Sequence, residues 1–355
     1  MTLAADRRCL IYGANGYTGE LIAREAVMQG LKPILAGRAA KKIRALGKEL
    51  NCETRIFSLD DQTATMIALE DVGLVLNCAG PFSATAGRMM QACLASHAHY
   101  LDITGEIEVF ELAHRLHQKA QRARVVLCPG VGFDVVPTDC VASRLRTALP
   151  DATHLVLAFE SQGRPSGGTT KTAIESLPEG NCIRQDGMLA REPLGKRVRR
   201  IDLGSGEREV VGIPWGDVST AFYTTGIPNV EVYVAGVPGG ARQLQQAWRW
   251  RSLLKKRIVQ WWLKRRAARG PRGPSATERN NNPTFIYGEV TNAAGVKKTA
   301  HLRTANGYAV TIYAAVAIAR ALVDNECPPG YYTPAALMGD AFIETLPGSS
   351  KIRLG

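Results

Sequence analysis

Three glycines near the start of the chain have the spacing of a phosphate-binding turn. Gly13, Gly16 and Gly19 follow an apolar run that ends at Tyr12, and a helix-like pattern begins directly after them. In such a turn the first glycine permits the sharp strand-to-helix bend, the second lets a pyrophosphate approach the backbone, and the third allows close packing of helix on strand. The helix N-terminus then offers free N–H groups to phosphate. The pattern predicts a dinucleotide-binding site.

The end of the second predicted strand indicates which dinucleotide binds. An NAD site usually carries an acidic residue here that binds the ribose 2′-hydroxyl, but this chain has Arg38, which favours a 2′-phosphate. Lys41 and Lys42 follow closely and could add positive charge, although they could equally lie on a solvated helix start. The sequence therefore predicts NADP(H) as the cofactor.

A second loop of small residues is predicted to line the same cofactor. It follows the fourth predicted strand, and ligands of open α/β sheets lie beyond the carboxyl ends of the strands. The predicted cofactor-binding residues, besides the three glycines and Arg38, are Asn15, Tyr17, Thr18, Cys78, Ala79, Gly80 and Pro81.

Catalytic candidates come from three later positions. With a nicotinamide cofactor the protein must orient the hydride acceptor and stabilise developing negative charge. Asp102 and Asp134 follow the fifth and sixth predicted strands and should face the site, or serve as turn or cap residues. Ser166-Gly167-Gly168 offers N–H groups at a helix start and Lys171 could supply charge, the alternative being an ordinary capped helix. The sequence leaves the proton donor open.

Other chemistries are disfavoured by missing residues. None of the ten tyrosines has a lysine four positions later, the pair that short-chain dehydrogenases require. Two histidine pairs, His97/His99 and His114/His117, have spacings that a metal could use, but no third ligand is evident and no metal is predicted. Neither a nucleophile elbow nor a P-loop occurs.

Six strand–helix repeats position these residues. The predicted strands are residues 9–12, 33–36, 54–59, 72–77, 100–102 and 125–128, and the predicted helices include 87–96 and 107–122. Alternating strands and helices form a parallel, doubly wound sheet. Residues 1–135 are therefore predicted to form a Rossmann-type cofactor domain in an α/β protein.

Paired strands replace this alternation in the second half. The predictions are strand 153–160, a helix near 170–180, a hairpin of strands 197–203 and 207–213, a lone strand 229–235, and a hairpin of strands 285–291 and 297–304. Such runs indicate a second α+β domain with a mixed or antiparallel sheet, over residues 136–305. We expect residues 306–355 to form a C-terminal helix and tail that pack back on the first domain. The apolar helix 308–324 is read as a packed helix and not as a membrane span.

Seven short motifs, in order along the chain, resemble those of the saccharopine dehydrogenase-like oxidoreductases. They are residues 13–19 (GANGYTG), 36–38 (AGR), 77–82 (NCAGPF), 100–106 (YLDITGE), 132–139 (GFDVVPTD), 166–169 (SGGT) and 213–217 (IPWGD). The chain is most similar to the bacterial branch described as trans-acting enoyl reductases. The resemblance implies an NADP-type Rossmann domain and a second domain whose sheet covers the nicotinamide. It also implies a lipid-like acyl substrate, and it does not imply lysine metabolism.

Nearly all of the excess positive charge falls in one segment. The formal net charge is +12, and residues 242–279 hold 12 Lys or Arg and one acidic residue. Within 247–266 the apolar residues that share one half of a helical wheel are Trp250, Leu253, Leu254, Ile258, Trp261 and Trp262. Tryptophan with a cationic rim is typical of an interfacial helix. We predict a basic amphipathic insertion at about 241–280 that contacts an anionic membrane surface through residues 242–272, the alternative being a helix docked on its own domain.

These observations predict an NADPH-dependent oxidoreductase of an enoyl or other lipid-like acyl substrate. The alternative is a nucleotide-binding, membrane-surface-associated protein of the same fold without turnover. No recognised nucleic-acid module accompanies the basic segment, so nucleic acid is not an expected partner. Eight scattered cysteines and a polar N-terminus favour a cytoplasmic location, with peripheral attachment to the inner membrane surface as an extension of it. A homo-oligomer is left open.

Overall fold

The computed structural model describes residues 8–161, 166–237, 240–267 and 273–355. The chain divides into two compact units. The first comprises Met1–Phe133 and Thr311–Leu337, and the second comprises Asp134–Val310 and Met338–Gly355. The predicted α/β class, with a parallel first sheet and a mixed second sheet, is confirmed.

The first half of the chain alternates strands and helices. Its strands are β1 (Arg8–Tyr12), β2 (Ile34–Gly37), β3 (Thr54–Ile56), β4 (Val72–Asn77), β5 (His99–Asp102) and β6 (Val126–Cys128). Its helices are α1 (Tyr17–Met28), α2 (Ala40–Leu50), α3 (Gln62–Ala68), α4 (Phe82–Ser96), α5 (Ile107–Arg115) and α6 (His117–Ala123).

The second half contains longer paired strands and several helices. Its helices are α7 (Val136–Ala148), α8 (Gly167–Ser176), α9 (Asp217–Thr225), α10 (Gly240–Arg249), α11 (Arg251–Leu254), α12 (Arg257–Ala267), α13 (Ala276–Asn281), α14 (Gly307–Asp324), α15 (Pro334–Met338) and α16 (Phe342–Thr345). Its strands are β7 (Ala152–Ser161), β8 (Asn181–Gln185), β9 (Met188–Glu192), β10 (Val198–Asp202), β11 (Glu207–Gly212), β12 (Asn229–Ala235), β13 (Thr284–Asn292), β14 (Lys297–Thr304), β15 (Gly330–Tyr331) and β16 (Arg353–Leu354).

The first sheet has the order β15-β6-β5-β4-β1-β2-β3, and its strand pairs are parallel. Strands β2 and β4 are buried along their whole length, as expected for a parallel sheet with both faces covered. The order reverses at β1, which pairs with β2 on one side and β4 on the other. The loops after β1 and β4 therefore meet at the switch point, where doubly wound folds bind their ligands.

The second sheet has the order β10-β11-β12-β7-β13-β14-β16, and the β8–β9 hairpin attaches to β12. Burial alternates along β13, so one face of the sheet carries most of the core. Helix α7 packs on that face: a Cβ built on Gly288 would lie 2.6 Å from both Val141 and Leu145. Glycine at this position lets helix and sheet approach closely.

Several elements differ from the sequence prediction. Helices α7 and α9 were not predicted, and the predicted helix 107–122 breaks at Leu116 into α5 and α6. Strand β12, predicted to stand alone, pairs with β7 on one side and β11 on the other. Strand pairing depends on residues distant in sequence, so the local pattern could not show these neighbours.

The C-terminal segment also differs from its prediction. We expected residues 306–355 to pack together on the first domain, but Met338–Gly355 belongs to the second unit. There β16 adds to the free edge of β14, and the Arg144 guanidinium contacts the Asp340 carboxylate at 2.6 Å. An open strand edge attracts a further strand, which accounts for the placement of the tail.

Helix α14 is long and apolar enough by length and composition to cross a membrane, with a mean hydropathy of 1.4; among the described residues no other helix meets this test. Half of it is buried in the protein. The Thr311 hydroxyl accepts a hydrogen bond from the Phe133 N–H, and Arg320 donates to the Gln29 carbonyl. Buried side chains and hydrogen bonds to the first unit agree with the predicted packed helix.

Candidate functional site

The glycine turn after β1 has the geometry that its spacing predicts. Gly13 has φ +79°, a conformation that favours glycine, and its carbonyl accepts from the Gly16 N–H at 2.9 Å. A Cβ on Gly19 would lie 2.5 Å from the same carbonyl oxygen. The turn itself therefore requires glycine at positions 13 and 19. At Gly16 an added Cβ would lie 3.2 Å from the Gly13 carbonyl oxygen, which is a less severe contact.

The turn lies against the loop after β4, as the predicted site requires. A Cβ on Gly13 would come within 2.8 Å of the Ala79 nitrogen, so the two backbones are in direct contact. The Cys78 N–H donates to the Tyr12 carbonyl, and the Asn77 side chain accepts from the Ala79 N–H at 3.1 Å. The structure thus brings the predicted loop 78–81 to the glycine turn within the first unit.

Two helices begin at this edge of the sheet, and their N-termini differ. The Glu106 carboxylate accepts from the N–H groups of Phe82 and Ser83 at 2.9 and 2.6 Å and so caps α4. Helix α1 has Gly16 as its N-cap, and glycine has no side chain with which to cap the helix. Because the predicted residues Tyr17 and Thr18 form its first turn, phosphate is the fitting partner for this positive helix end.

Cations surround the end of β2, where a ribose would lie. Arg38 is exposed and makes no ion pair with any residue that the structure describes. Lys41 and Lys42 are also exposed. A Cβ on Gly37 would lie 3.0 Å from the Asn15 Oδ1 atom, so Asn15 borders the same region. The arrangement fits a dinucleotide with a phosphate on its ribose.

Asp102 is fully buried and linked to three hydrogen-bond donors. Its carboxylate accepts from the Tyr100 hydroxyl at 2.6 Å and from the N–H groups of Thr104 and Gly130 at 3.0 and 2.9 Å. Burial raises its pKa to about 6, and these hydrogen bonds oppose the rise. The predicted catalytic Asp102 therefore joins the loops after β5 and β6, which favours the alternative that it is a turn residue.

Three carboxyl groups lie near one another in the second unit. Asp217 is fully buried, and desolvation, strengthened by the charges of Asp139 and Asp134, raises its pKa well above the usual range. Its Oδ1 lies 2.7 Å from the Thr138 hydroxyl, which is 2.9 Å from the Val135 carbonyl. The Thr138 hydroxyl donates to the Asp217 carboxyl group, and this hydrogen bond opposes the rise in its pKa.

The predicted Asp134 has a different environment. It is half-buried, and the described residues offer its carboxyl group no hydrogen-bond partner. Desolvation raises its pKa to about 7. A carboxyl group that titrates near neutrality and is not engaged elsewhere can exchange a proton with a ligand.

The third catalytic prediction concerns the start of α8. The Ser166 N–H donates to the Tyr308 hydroxyl at 2.5 Å, so it is engaged within the protein. The N–H groups of Gly167 and Gly168 have no acceptor in the described part of the chain. Lys171 lies in α8, but its side chain is outside the described residues and its role stays a prediction.

Sequence reasoning missed Glu106 as a helix cap and Asp217 as a buried acid. Both residues belong to motifs shared with the saccharopine dehydrogenase-like oxidoreductases, residues 100–106 and 213–217. The neighbouring sequence does not indicate which groups they contact. The rejected histidines have structural partners: His99 accepts from the Val126 N–H and His117 from the Tyr331 N–H.

A separate groove of about 530 Å³ crosses the open face of the second sheet. Its charged groups are already matched, because Glu289 contacts both Arg199 and Lys297 at 3.5 Å and accepts from the Tyr287 hydroxyl. His301 contacts the Asp202 carbonyl. These internal pairs leave little for a charged ligand, so the groove does not compete with the glycine turn as the candidate site.

The parallel strand order and the glycine turn between β1 and α1 together define the class of the first unit, a Rossmann-type dinucleotide-binding domain. The family model described as the saccharopine dehydrogenase NADP binding domain matches residues 9–128. These residues are similar to that domain over the whole of the matched range. The match confirms both the predicted resemblance and the predicted cofactor, NADP(H).

Relatives and a solved structure agree with this assignment. The saccharopine dehydrogenase-like oxidoreductase of Homo sapiens is 26% identical over 204 residues, which cover 50% of this chain and 47% of that protein. The trans-acting enoyl reductase of Mycobacterium leprae (strain TN) is 29% identical over 195 residues, covering 49% and 46%. The chain spans about half the length of these curated relatives.

The fold extends over the whole chain. An apo saccharopine dehydrogenase (L-Glu forming) from Saccharomyces cerevisiae superposes with a TM-score of 0.65 at 10% identity, covering 98% of this chain and 100% of that one. At this identity the likeness establishes the fold and not the reaction.

Proposed function

We propose that this protein is an NADPH-dependent oxidoreductase that transfers hydride to an enoyl or other lipid-like acyl substrate. The observation that carries the proposal is the glycine turn, which leads into helix α1 and lies in the same unit as the exposed Arg38. The substrate class rests on the similarity to the M. leprae protein named trans-acting enoyl reductase. Hydride chemistry is supplied by the nicotinamide when it is bound, and the chain supplies binding, orientation and a proton.

Within this proposal the residues divide into three roles. The glycine turn and the N-terminus of α1 hold the pyrophosphate, and Arg38 contacts the 2′-phosphate. Reduction of an enoyl double bond adds a hydride to the β-carbon and a proton to the α-carbon. We assign the proton to Asp134, because its carboxyl group has no partner among the described residues and its pKa is raised to about 7. The N–H groups of Gly167 and Gly168, which have no acceptor among the residues that the structure describes, are proposed to stabilise the acyl oxygen.

The test is steady NADPH oxidation by the purified protein with a panel of enoyl thioesters of increasing chain length. We expect turnover that increases with chain length, and none with Gly16→Val, which blocks the phosphate position. Tight NADPH binding without oxidation of any acyl substrate would contradict the enzyme assignment. It would support the nucleotide-binding protein without turnover.

A second test of the proposal measures the preference for NADPH over NADH. NADPH should bind at least about tenfold more tightly than NADH, roughly 1.4 kcal/mol, because Arg38 meets the 2′-phosphate. Arg38→Ala should remove most of that preference, whereas Arg44→Ala, a matched exposed arginine further along α2, should retain it. Equal affinities in the wild type would disprove the role of Arg38.

A further inference from the structure

Helices α10, α11 and α12 form a segment, residues 240–267, that we call the basic segment. One side of it is docked on the second unit. The Gln245 side chain donates to the Gly195 carbonyl at 2.8 Å, and the Gln260 side chain donates to the Ile174 carbonyl of α8 at 3.0 Å. The docking that the sequence left as an alternative therefore occurs, and it accounts for one side of the segment.

The tryptophans of the basic segment are divided between its two sides. Trp248 packs into the protein: a Cβ on Gly180 would lie 2.8 Å from its ring. Trp250, Trp261 and Trp262 are 66%, 57% and 54% exposed. Packing against the second unit explains the tryptophan at position 248, but it does not explain the three exposed ones.

Helix α12 shows an apolar stripe that faces away from the protein. Ile258, Trp261, Trp262 and Arg265 follow the spacing i, i+3, i+4, i+7 of one helix face, and Ile258 is 81% exposed. The half-buried residues of the same helix lie on the other side, and they are Val259, Gln260 and Leu263. An amphipathic helix normally buries its apolar stripe, and α12 exposes it.

Exposed cations surround this stripe. They are Arg251, Lys255, Lys256, Arg257, Arg265 and Arg266. Among the described residues the segment has one ion pair, in which the Lys255 ammonium lies 3.4 Å from the Glu179 carboxylate. The Arg265 guanidinium stacks 5.1 Å over the Trp261 ring. The surface therefore combines unpaired positive charge with exposed tryptophan.

We propose that this surface docks on an anionic lipid bilayer, with the stripe of α12 in the headgroup region and the cations on the lipid charges. Indole rings favour the interface, and Lys and Arg favour anionic lipid. Five large apolar side chains of α11, α12 and their junctions are exposed, which marks an interaction surface rather than a solvated face. Because α12 packs on α8, the docked surface would lie beside the helix that begins at Gly167. The proposal concerns binding alone and holds whether or not the protein turns over a substrate.

The experiment is co-sedimentation of the full chain with vesicles of phosphatidylcholine alone or mixed with phosphatidylglycerol. We expect binding to the mixed vesicles at low salt and roughly tenfold weaker binding at about 0.5 M salt, where charges are screened. Binding to phosphatidylcholine alone should be weak. Tryptophan emission should shift to the blue on binding, because the exposed indoles enter the headgroup region.

Two pairs of variants test whether binding depends on this surface itself. Each compares a change within the basic segment with a similar change elsewhere on the second unit. Trp261→Ala with Trp262→Ala should weaken vesicle binding at least about tenfold. Met188→Ala with Leu189→Ala removes exposed apolar surface elsewhere on the same unit and should leave binding unchanged. Lys256→Glu with Arg257→Glu should abolish binding to the mixed vesicles, whereas Lys298→Glu with Arg303→Glu makes the same change in net charge and should retain it. NADPH binding should persist in all four, which shows that each variant folds.

Three results would overturn the proposal. The first is no binding to anionic vesicles at low salt. The second is equal loss of binding in the control pairs. The third is sedimentation without vesicles, or tighter binding to a duplex oligonucleotide that the tryptophan substitutions leave unchanged, because these would assign the surface to a second copy or to nucleic acid.

Discussion

The carboxylate of Asp102 joins two loops at the carboxyl edge of the first sheet. It accepts hydrogen bonds from the N–H groups of Thr104 and Gly130, one in each loop, and from the Tyr100 hydroxyl. The loop after β6 continues directly into Asp134. Through these hydrogen bonds Asp102 can set the conformation of the loop that leads to the proposed proton donor.

Asp102→Ala should lower the free energy of unfolding by about 3 kcal/mol, because the N–H groups of Thr104 and Gly130 would be buried without an acceptor. Asp102→Asn keeps an acceptor oxygen and should lower the free energy of unfolding much less. Burial raises the pKa of Asp102 in the folded state to about 6. The free energy of unfolding of the wild type should therefore fall as the pH rises from about 4 to 6, because the buried carboxyl group must ionise. Urea unfolding at several pH values measures both effects. An Asp102→Ala variant as stable as the wild type would disprove the linking role.

The protonation of Asp134 should control the rate if it is the proton donor. The acid form donates, so the rate of acyl reduction should be constant below about pH 7 and fall about tenfold per unit above it. Asp134→Asn should lower the rate and remove this pH dependence, with NADPH affinity unchanged. Asp186→Asn, an exposed carboxyl of the same unit, serves as the control. An unchanged profile in Asp134→Asn would assign the proton to another group.

The β1–turn–α1 element needs glycine for two different reasons, close packing of the helix at one position and approach of a phosphate at another. At Gly19 the requirement is packing, since an added Cβ would lie 2.5 Å from the Gly13 carbonyl oxygen. At Gly16 the nearest contact would be 3.2 Å, so the local fold tolerates a side chain more easily. The predicted need for glycine at position 16 comes from the phosphate instead.

Gly16→Val and Gly19→Ala should therefore differ in what they impair. We expect Gly16→Val to abolish NADPH binding with a small loss of stability. Gly19→Ala should reduce stability by about 2 kcal/mol, because helix α1 must shift from β1. Thermal unfolding without cofactor and NADPH titration measure the two properties. Normal NADPH binding by Gly16→Val would place the phosphate loop elsewhere.

At the scale of the whole molecule, charge and cofactor binding are assigned to different units. The glycine turn, Arg38 and the loop 78–81 belong to the first unit, and the basic segment belongs to the second. Outside residues 242–279 the chain is close to electrically neutral. The high isoelectric point of about 9.4 thus reports a local surface and not the general character of the fold.

Saturating NADPH should slow hydrogen exchange in the first unit at three places: residues 13–19, the stretch around Arg38, and residues 78–81. These backbones line the predicted site, and a bound ligand stabilises the state that binds it. The basic segment should show no change on addition of NADPH. Hydrogen exchange followed by mass spectrometry gives this map, and protection confined to the second unit would contradict the assignment of the cofactor site.

The strands of the first sheet and the residues at its carboxyl edge were predictable from local sequence patterns. A strand such as Val72–Asn77 is recognised from six consecutive residues, and the glycine spacing lies within a single turn. Both signals are therefore visible in a short stretch of sequence. The same holds for Arg38, whose charge and position after β2 were enough to predict NADP(H). The second sheet was also predictable as paired strands, but not the helices α7 and α9 that cover it.

The hydrogen-bond partners of the polar side chains, in contrast, depend on tertiary packing. Asp102 and Asp134 look alike in sequence, yet one is buried among three donors and the other has no partner among the described residues. Trp248 and Trp261 both fall in the basic segment, yet one packs on Gly180 and the other is exposed. Partners such as these lie tens of residues away along the chain. Burial and hydrogen bonding depend on that long-range packing, which no local pattern contains.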